Sequence, residues 1–380
     1  MRTAARVPAT GYWRLAAVLG WSVGVGAVLA VLIAAAGHPH EAYFDARVQL
    51  DGARDVLSGT SPYGVYYQSP LWSVFFLVPF ALLPESARYV AWFWANVLAW
   101  GAACFLLALV AGIPGGWPGR VLVAGLLVVY PPAVWSMHGQ LDGFIVLGLA
   151  GGLALLPAHP FTAGVALAVV AIKPHLAAFP LALLFLADLR SGHTRMASGM
   201  AAGGIALLAL SLAVQPSWPA EWIGAVSHPP PDMVLGRAKF AQTPAAFIGL
   251  WAPGWLAAAL GWAVAVAVAI AAARWVWFHR PAAADVAALG AGALFLVTPY
   301  AQGYDLSLLL VPLVMAAARS LRFERLRDAA VISGVVLVFV YAMAAAKFEW
   351  PQPVLFLSAP MAVGLWWLSR PTSPLPKGEG

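Results

Sequence analysis

The stretch "WAPGWLAAALGWAVAVAVAIAAARWVWF" (251–278) is almost wholly apolar and carries a single charged side chain, that of Arg274. An α-helix rises about 1.5 Å per residue, so a run of this length can cross the roughly 30 Å hydrocarbon core of a bilayer. Similar runs recur along the 380 residues and are separated by short polar connectors. This pattern predicts a polytopic helical membrane protein.

The composition indicates the same class. Hydrophobic residues make up 62% of the chain, charged residues 9%, and the mean hydropathy is +0.83. A soluble globular domain of this composition would have an apolar surface as well as an apolar core. The net charge of +6 does not indicate nucleic-acid binding, because most Arg and Lys lie in short loops and at the ends, as the positive-inside bias requires. The single cysteine, Cys104, excludes an intrachain disulfide and a thiolate metal cluster.

The apolar runs predict an all-α integral membrane protein, a bundle of about 12 transmembrane helices. Segment 13–37 follows a basic start and is interpreted as a retained first transmembrane helix, not as a cleaved signal peptide. Segment 69–84 is short, and we expect it to enter the membrane without spanning, because an even number of spans leaves both ends in the cytoplasm. The other predicted helices are 86–111, 120–136, 141–157, 160–173, 175–189, 196–215, 251–278, 283–299, 304–318, 329–346 and 352–369.

Basic loops set the predicted orientation of this bundle. Arg and Lys concentrate in loops that we therefore expect in the cytoplasm, namely 190–195, 274–280, 319–327 and the tail from Arg370. The loops 38–68 and 216–250 then face the opposite side of the membrane. We expect 1–370 to form one transmembrane domain and 371–380 to be a disordered cytoplasmic tail. The chain shows no internal repeat and no glycine-rich nucleotide loop.

The first outer loop concentrates carboxylates, which are scarce elsewhere in the chain: Glu41, Asp45, Asp51 and Asp55. Within it, "DARVQLDGARDVLSG" (45–59) has helical apolar spacing and ends in a glycine, which is typical of a helix stop. We predict an amphipathic helix that lies on the membrane surface and presents its carboxylates to the membrane-embedded part. The alternative is a solvated linker whose acidic residues serve only solubility.

Three polar breaks interrupt the apolar segments: "SMHGQLDG" (136–143), "IKPH" (172–175) and "TPYAQGYD" (298–305). Polar backbone cannot face lipid, so helices that meet at such breaks indicate a water-filled cavity cut into the membrane. Lys173 is costly inside a membrane unless it faces water or an anion, or extends to the interface. Pro174 frees backbone groups beside it, which is consistent with a lined cavity.

The stretches "FDARVQLDGARDVLSGTSPYG" (44–64) and "YQSPLWSVFFLVPFALLP" (67–84) resemble the first outer loop and next segment of glycosyltransferase family 87. These alpha-mannosyltransferase-like enzymes of the GT-C type use polyprenyl-phosphate sugars. "GQLDGFIVLGL" (139–149) and "AIKPHLAAFPLALLFL" (171–186) are similar to two further segments of that family. Gln49 departs from the family pattern, which has tyrosine there. The loop positions that match are Asp45, Ala53, Leu57, Gly59, Pro62, Tyr63, Tyr67, Pro70 and Leu71.

The resemblance implies a GT-C-like bundle in which Asp45 is the catalytic carboxylate. Inverting sugar transfer needs such a base, which accepts the proton of the acceptor hydroxyl as this attacks the anomeric carbon. A lipid-phosphate leaving group needs no general acid and is stabilised mainly by cations or hydrogen-bond donors. Asp51 lies six positions after Asp45, and a helix turns it well away, so we expect it at most to contact the acceptor.

We expect the donor phosphate to be bound by Lys173, His175 and, from the second outer loop, Arg237. Hydrogen bonds to sugar or acceptor hydroxyls are expected from side chains in two polar breaks, His138, Gln140, Asp142, Tyr300, Gln302 and Tyr304. An ordinary polar turn would also explain the second of these breaks. Metal binding by His138 and Asp142 would lack a third ligand, so neither a metal nor a cofactor is expected.

The sequence therefore predicts an inverting glycosyltransferase of the cell (plasma or inner) membrane. It would move a hexose or pentose, with mannose as the first expectation, from a polyprenyl-phosphate sugar to a glycolipid or glycan acceptor on the extracytoplasmic side. A secondary transporter or lipid flippase is the alternative, since transporters also have broken helices and buried polar residues. A transporter should show two related halves, which this sequence does not. A structural membrane protein is a third class.

Overall fold

The computed structural model describes residues 44–64, 66–113, 139–231, 241–321, 326–347 and 356–370. Within these ranges the secondary structure is helical, and no strand occurs among them. The predicted helices 13–37 and 120–136 and the tail 371–380 lie outside the described residues.

The described helices follow the predicted apolar segments closely. Three short 3₁₀ helices accompany them: Leu71–Ser73 before α2, Val169–Ile172 after α5, and Gly303–Leu309 before α12. In chain order the α-helices are α1 (Phe44–Leu57), α2 (Val74–Ala81), α3 (Glu85–Val110), α4 (Asp142–Leu155), α5 (Pro160–Ala168), α6 (Pro174–Ser191), α7 (Arg195–Val214), α8 (Trp218–Ser227), α9 (Pro244–Ile248), α10 (Gly254–His279), α11 (Ala283–Val297), α12 (Leu310–Ser320), α13 (Leu326–Lys347) and α14 (Ser358–Leu368).

The predicted helix of the first outer loop is present as α1. Its apolar residues Ala46, Leu50 and Ala53 recur at helical spacing and are fully buried. Asp45 lies in the first turn, where a negative charge is favourable against the helix dipole. Gly59 follows the helix with a φ of +79°, a left-handed conformation that glycine adopts at little cost. The carboxylate-rich stretch is therefore an ordered helix and not a solvated linker.

Among the described residues, four helical segments are apolar and long enough to cross a membrane: Glu85–Val110, Arg195–Val214, Gly254–His279 and Gly303–Ser320. In α7 and α10 only 22% of the most apolar window is buried inside the protein, and the exposed side chains include Leu, Ile, Val and Trp. Apolar faces of this extent are expected to contact lipid and not water. The described helices fit a membrane protein, whereas a bundle of about 12 spans is not confirmed by them.

The segment predicted to enter the membrane without spanning is short in the structure as well. The 3₁₀ helix and α2 together cover Leu71–Ala81, which at about 1.5 Å per residue cannot cross a roughly 30 Å hydrocarbon core. The region 216–250 is more regular than its loop prediction, because it contains α8 and α9. Trp218, in the first turn of α8, is buried with its ring centroid 5.1 Å from that of Trp72.

Close helix packing places the polar breaks together. A β-carbon on Gly164 of α5 would lie 2.1 Å from the Met196 carbonyl oxygen, so this glycine lets α5 and α7 approach closely. Helix α11 is buried from Val286 to Phe295 and packs against α6, α12 and α14. Helix α4 packs against α3 and α5 and against the 3₁₀ helix Gly303–Leu309. The beginnings of α4 and α6 and that 3₁₀ helix therefore meet in one region.

Candidate active site

Asp45 and Gln140 contact each other although they lie 95 positions apart in the chain. Asp45 is half-buried in the first turn of α1, and Gln140 is buried immediately before α4. The Gln140 Nε2 donates a hydrogen bond of 2.6 Å to Oδ2 of Asp45. A hydrogen bond to an ionised acceptor is shorter and stronger than a neutral one. The contact fixes the direction of the Asp45 carboxylate and joins the first outer loop to the first polar break.

Gly139 makes this contact sterically feasible. Its φ is +76°, and a β-carbon at this position would lie 2.2 Å from the β-carbon of Ala46 and 2.8 Å from its backbone nitrogen. Any other residue would therefore push α1 away from the break. The Gly139 carbonyl oxygen accepts a hydrogen bond of 2.9 Å from the indole Nε1 of Trp92, which is fully buried on α3. Gly139 and Trp92 together hold Gln140 beside Asp45.

Lys173 lies between two carboxylates that come from the other two breaks. Its Nζ is 3.2 Å and 3.1 Å from the two carboxylate oxygens of Asp142 and 3.2 Å from Oδ1 of Asp305. All three side chains are buried, and a buried ammonium is tolerated only when it is paired. We name Lys173, Asp142 and Asp305 the ion-pair cluster. It ties the beginnings of α4 and α6 to the 3₁₀ helix that precedes α12.

The third polar break surrounds this cluster. The second carboxylate oxygen of Asp305 accepts a hydrogen bond of 2.7 Å from the backbone N–H of Gln302, and the Gln302 side chain accepts one from the Asp305 backbone. The Tyr304 ring centroid lies 4.7 Å from the Nζ of Lys173, a cation–π distance. The rings of His175 and Tyr300 have centroids 5.6 Å apart. Aromatic side chains therefore line the cluster on the side of the third break.

The two predicted outer loops are joined by hydrogen bonds that link α8 with Ser61 and Gln68. The Trp222 indole donates to the Gln68 carbonyl oxygen over 2.9 Å, and Gln68 Nε2 donates to the Ala225 carbonyl oxygen over 3.2 Å. Glu221 accepts hydrogen bonds from Ser61 and from Gln215. We name this set the loop latch. Hydrogen bonds from Ser217, Ser61 and Gln215 to its carboxylate hold the pKa of Glu221 below its usual value.

Several of the predicted site residues come together in this structure. Asp45 contacts Gln140, and Lys173 contacts Asp142 and Tyr304, while Gln140 and Asp142 lie two positions apart in the chain. Gln302, His175 and Tyr300 lie in the adjoining segments. His138 and Arg237 lie outside the described residues. Among the residues that the structure describes, no group of three or more His, Cys, Asp or Glu side chains is arranged to hold a metal ion.

Asp51 does not belong to the ion-pair cluster. Its side chain is 48% exposed, and Oδ1 lies 3.4 Å from Nη2 of the buried Arg88 at the beginning of α3. Gln49, which stands where the resembling family has tyrosine, donates a hydrogen bond of 3.1 Å to the Ser69 hydroxyl. Asp51 and Gln49 thus bind α1 to neighbouring segments.

Sequence reasoning missed three supporting residues. It placed Asp305 in a polar break without a role, although a lysine within the membrane predicts a carboxylate partner from another segment. It quoted Gly139 within a motif but did not recognise a close approach of two backbones. The third residue, Trp92, carries no sequence signal, because a tryptophan in an apolar helix does not indicate which carbonyl oxygen its indole reaches.

Comparison with known protein families identifies the family of this chain. The family model of glycosyltransferase family 87 matches residues 67–299. The chain belongs to glycosyltransferase family 87. No curated protein and no solved structure matched the chain significantly. The matched region of this family 87 member includes Gln140, Asp142 and Lys173, whereas Asp45 and Asp305 lie outside it. Membership implies a glycosyltransferase with a donor and an acceptor substrate.

Proposed function

We propose that the protein is an inverting glycosyltransferase of the GT-C type. It transfers a hexose or pentose, in the first instance mannose, from a polyprenyl-phosphate sugar to a glycolipid or glycan acceptor. The reaction takes place on the extracytoplasmic side of the plasma or inner membrane. The observation that carries the proposal is the Gln140–Asp45 hydrogen bond of 2.6 Å, which orients a half-buried carboxylate beside the ion-pair cluster.

In the proposed step Asp45 is the general base. The acceptor hydroxyl transfers its proton to the Asp45 carboxylate while its oxygen forms a bond to the anomeric carbon. The bond from this carbon to the phosphate oxygen breaks, and its electron pair leaves with the lipid phosphate. Attack from the face opposite the leaving group inverts the anomeric configuration. Gln140 contributes by holding the carboxylate in one direction, because proton transfer requires aligned donor and acceptor atoms.

The departing phosphate needs positive charge or hydrogen-bond donors, and no general acid. Two roles compete for Lys173. The sequence predicts phosphate binding, whereas the contacts of 3.1–3.2 Å with Asp142 and Asp305 favour an organising role, because these carboxylates already neutralise the ammonium. We therefore assign donor-phosphate binding first to His175 and Arg237. Lys173 would then hold the three polar breaks in fixed relative positions around the donor.

Sugar and acceptor contacts are assigned to the remaining polar side chains of the breaks. Tyr300 and Tyr304 offer aromatic faces on which a sugar ring can stack, and Gln302 offers an amide. His138 has the same proposed role from the first break. Asp51 is kept as a contact for the acceptor, since its carboxylate is half-exposed and lies on the same helix as Asp45.

The direct test is transfer by the purified protein. It would be incubated with radiolabelled polyprenyl-phosphate sugars, one sugar at a time, together with membrane lipid extract as acceptor. We expect a labelled product from at least one lipid-phosphate sugar, none from soluble nucleotide sugars, and no loss of rate with EDTA. Efficient use of a nucleotide sugar, or inhibition by EDTA that a divalent ion reverses, would overturn the proposal. Movement of the intact lipid-linked sugar across vesicles without a new glycosidic bond would identify a flippase instead.

A further inference from the structure

Gln242 is the most unusual polar side chain outside the contacts described so far. It lies in the second outer loop region, two residues before α9, and is fully buried. Among the residues that the structure describes, neither its amide nitrogen nor its amide oxygen has a hydrogen-bond partner. A buried polar group without a partner costs about 1–3 kcal/mol, and most such groups in proteins are paired. Gln242 therefore presents an amide whose donor and acceptor are both unused within the described part of the chain.

The backbone places Gln242 at the third polar break. Its N–H donates a hydrogen bond of 2.7 Å to the carbonyl oxygen of Ala301. Ala301 is flanked by Tyr300 and Gln302, and the segment continues to Asp305 of the ion-pair cluster. The unpartnered amide thus belongs to a residue whose backbone is bonded to the segment to which we assign sugar contacts.

Hydrogen bonds hold the main chain at Gln242 and in the residues that follow it. The next residue, Thr243, caps α9 by accepting a hydrogen bond of 3.3 Å from the Ala246 N–H, and Pro244 begins the helix. Both Thr243 and Pro244 are buried. A fixed backbone with an unsatisfied side chain is the arrangement expected of a residue held ready for a ligand.

Arg88 is a second buried side chain with unsatisfied polar atoms. Its Nε and Nη1 are buried without partners, which would suit an anion. However, Asp51 and Glu85 lie 3.4 Å and 3.5 Å from its Nη2. Two carboxylates beside one guanidinium leave no net positive charge for a phosphate. The Gln242 amide is neutral, so a neutral ligand such as a sugar needs no net charge there.

We propose that Gln242 recognises the transferred sugar, its carboxamide donating to one hydroxyl group and accepting from a neighbouring one. An amide offers both a donor and an acceptor, which matches adjacent hydroxyl groups of a sugar ring. Binding requires a rotation of the side chain from its enclosed position towards the third break. The free-energy cost of this rotation is small, because the Gln242 side chain breaks no hydrogen bond with the described residues. This inference rests on the proposed function and adds a specificity-determining residue to it.

The test compares transfer by Gln242→Leu and by the unmodified protein. The donors are the preferred lipid-phosphate sugar and a series of its deoxy analogues, each of which lacks one hydroxyl group. We expect Gln242→Leu to raise KM for the preferred sugar by roughly 10–100-fold, because a site built to bind a hydroxyl group discriminates through it. For the two deoxy analogues that each lack one of the contacted hydroxyl groups, the difference in KM between the two proteins should be smaller than for the preferred sugar. Gln215→Leu, the same substitution at the end of α7 and away from the breaks, should leave sugar selectivity unchanged.

Thermal unfolding without donor separates recognition from a structural role. Gln242→Leu should not lower the melting temperature, since it removes no hydrogen bond. Unchanged selectivity among the deoxy analogues, or a lower melting temperature with normal selectivity, would overturn the inference. If the unmodified protein transfers no sugar, the proposed function fails. The inference on Gln242 is then decided by whether the lipid-phosphate sugar raises the melting temperature of the unmodified protein and not of Gln242→Leu.

Discussion

The Asp45–Gln140 pair and the ion-pair cluster hold carboxylates in contrasting environments. Asp45 is half-buried and accepts a hydrogen bond from the Gln140 amide, which orients its carboxylate. Asp142 and Asp305 are buried and face the same ammonium at 3.1–3.2 Å. The carboxylates of this region thus differ in their burial and in the groups that they contact. The half-buried carboxylate is partly accessible, as the proposed general base requires, whereas the two carboxylates paired with the buried lysine join the helical segments that carry them.

The largest effect on the transfer rate is expected at Asp45, the proposed general base. Asp45→Asn keeps the size of the side chain and an acceptor for Gln140 but removes the proton-accepting carboxylate. The transfer rate should fall by roughly 10²–10⁴-fold, the usual contribution of a general base. Single-turnover transfer measures this fall, with donor binding and melting temperature measured in parallel. Asp51→Asn and Asp55→Asn are the matched controls and should cost far less. A normal rate in folded Asp45→Asn would remove Asp45 from the mechanism.

The second prediction tests whether Lys173 organises the cluster. Lys173→Met leaves two buried carboxylates without their counter-charge, so the free energy of unfolding should fall by about 3–5 kcal/mol. The triple variant Lys173→Met, Asp142→Asn, Asp305→Asn removes all three charges and should recover part of that loss. Denaturant unfolding of the detergent-solubilised protein gives both values. If Lys173→Met keeps normal stability but weakens donor use tens of fold, phosphate binding is its role.

The third prediction sharpens the structural basis of the Asp45–Gln140 pair. Gly139→Ala introduces a side chain at a φ of +76°, with its β-carbon 2.2 Å from that of Ala46. Backbone strain and the displacement of α1 should lower the transfer rate by roughly 10–100-fold through misplacement of Gln140. Gly64→Ala is the control, because a β-carbon there meets no atom within 4 Å. Equal rates for the two variants would show that the close approach of Gly139 and Ala46 is not needed.

The smallest effect concerns the loop latch, which lies outside both regions of the comparison. The pKa of Glu221 is lowered in the folded protein by hydrogen bonds from Ser217, Ser61 and Gln215. A lowered pKa stabilises the fold at pH values above the unfolded pKa, about 4.3 for glutamate, and this contribution is lost as the pH falls through the folded pKa. The melting temperature of the wild type should therefore decrease more than that of Glu221→Gln below about pH 4.3. Parallel curves for the two proteins would contradict this.

Local patterns were sufficient for most of the fold. The apolar spacing of 45–59 predicted α1, which the structure places at Phe44–Leu57. This was possible because apolar residues that recur at the helical period are visible in a short stretch of sequence. The polar breaks at Lys173 and at residues 298–305 were predicted for the same reason. Helices α8 and α9 were not, since Trp- and Pro-rich stretches fit both a loop and a short helix.

The candidate site was predictable in its residue types and less so in its partners. Asp45, Gln140 and Lys173 were all identified from motifs, but Gln140 was expected to bind a sugar and in the structure contacts Asp45. Lys173 was expected at a phosphate and in the structure faces Asp142 and Asp305. Both differences arise because a motif records which group is present and not which group lies opposite it.

The sequence by itself determined that the chain is apolar and its described part helical, that carboxylates concentrate in 41–55, and that three polar breaks separate its apolar segments. These properties follow from composition and from contacts between near neighbours. Only the tertiary structure decided that Lys173 pairs with Asp142, 31 positions away, and with Asp305, 132 positions away. Which charges meet in a buried site depends on how the helices pack, and that packing is set by glycines and apolar faces distributed over the whole chain.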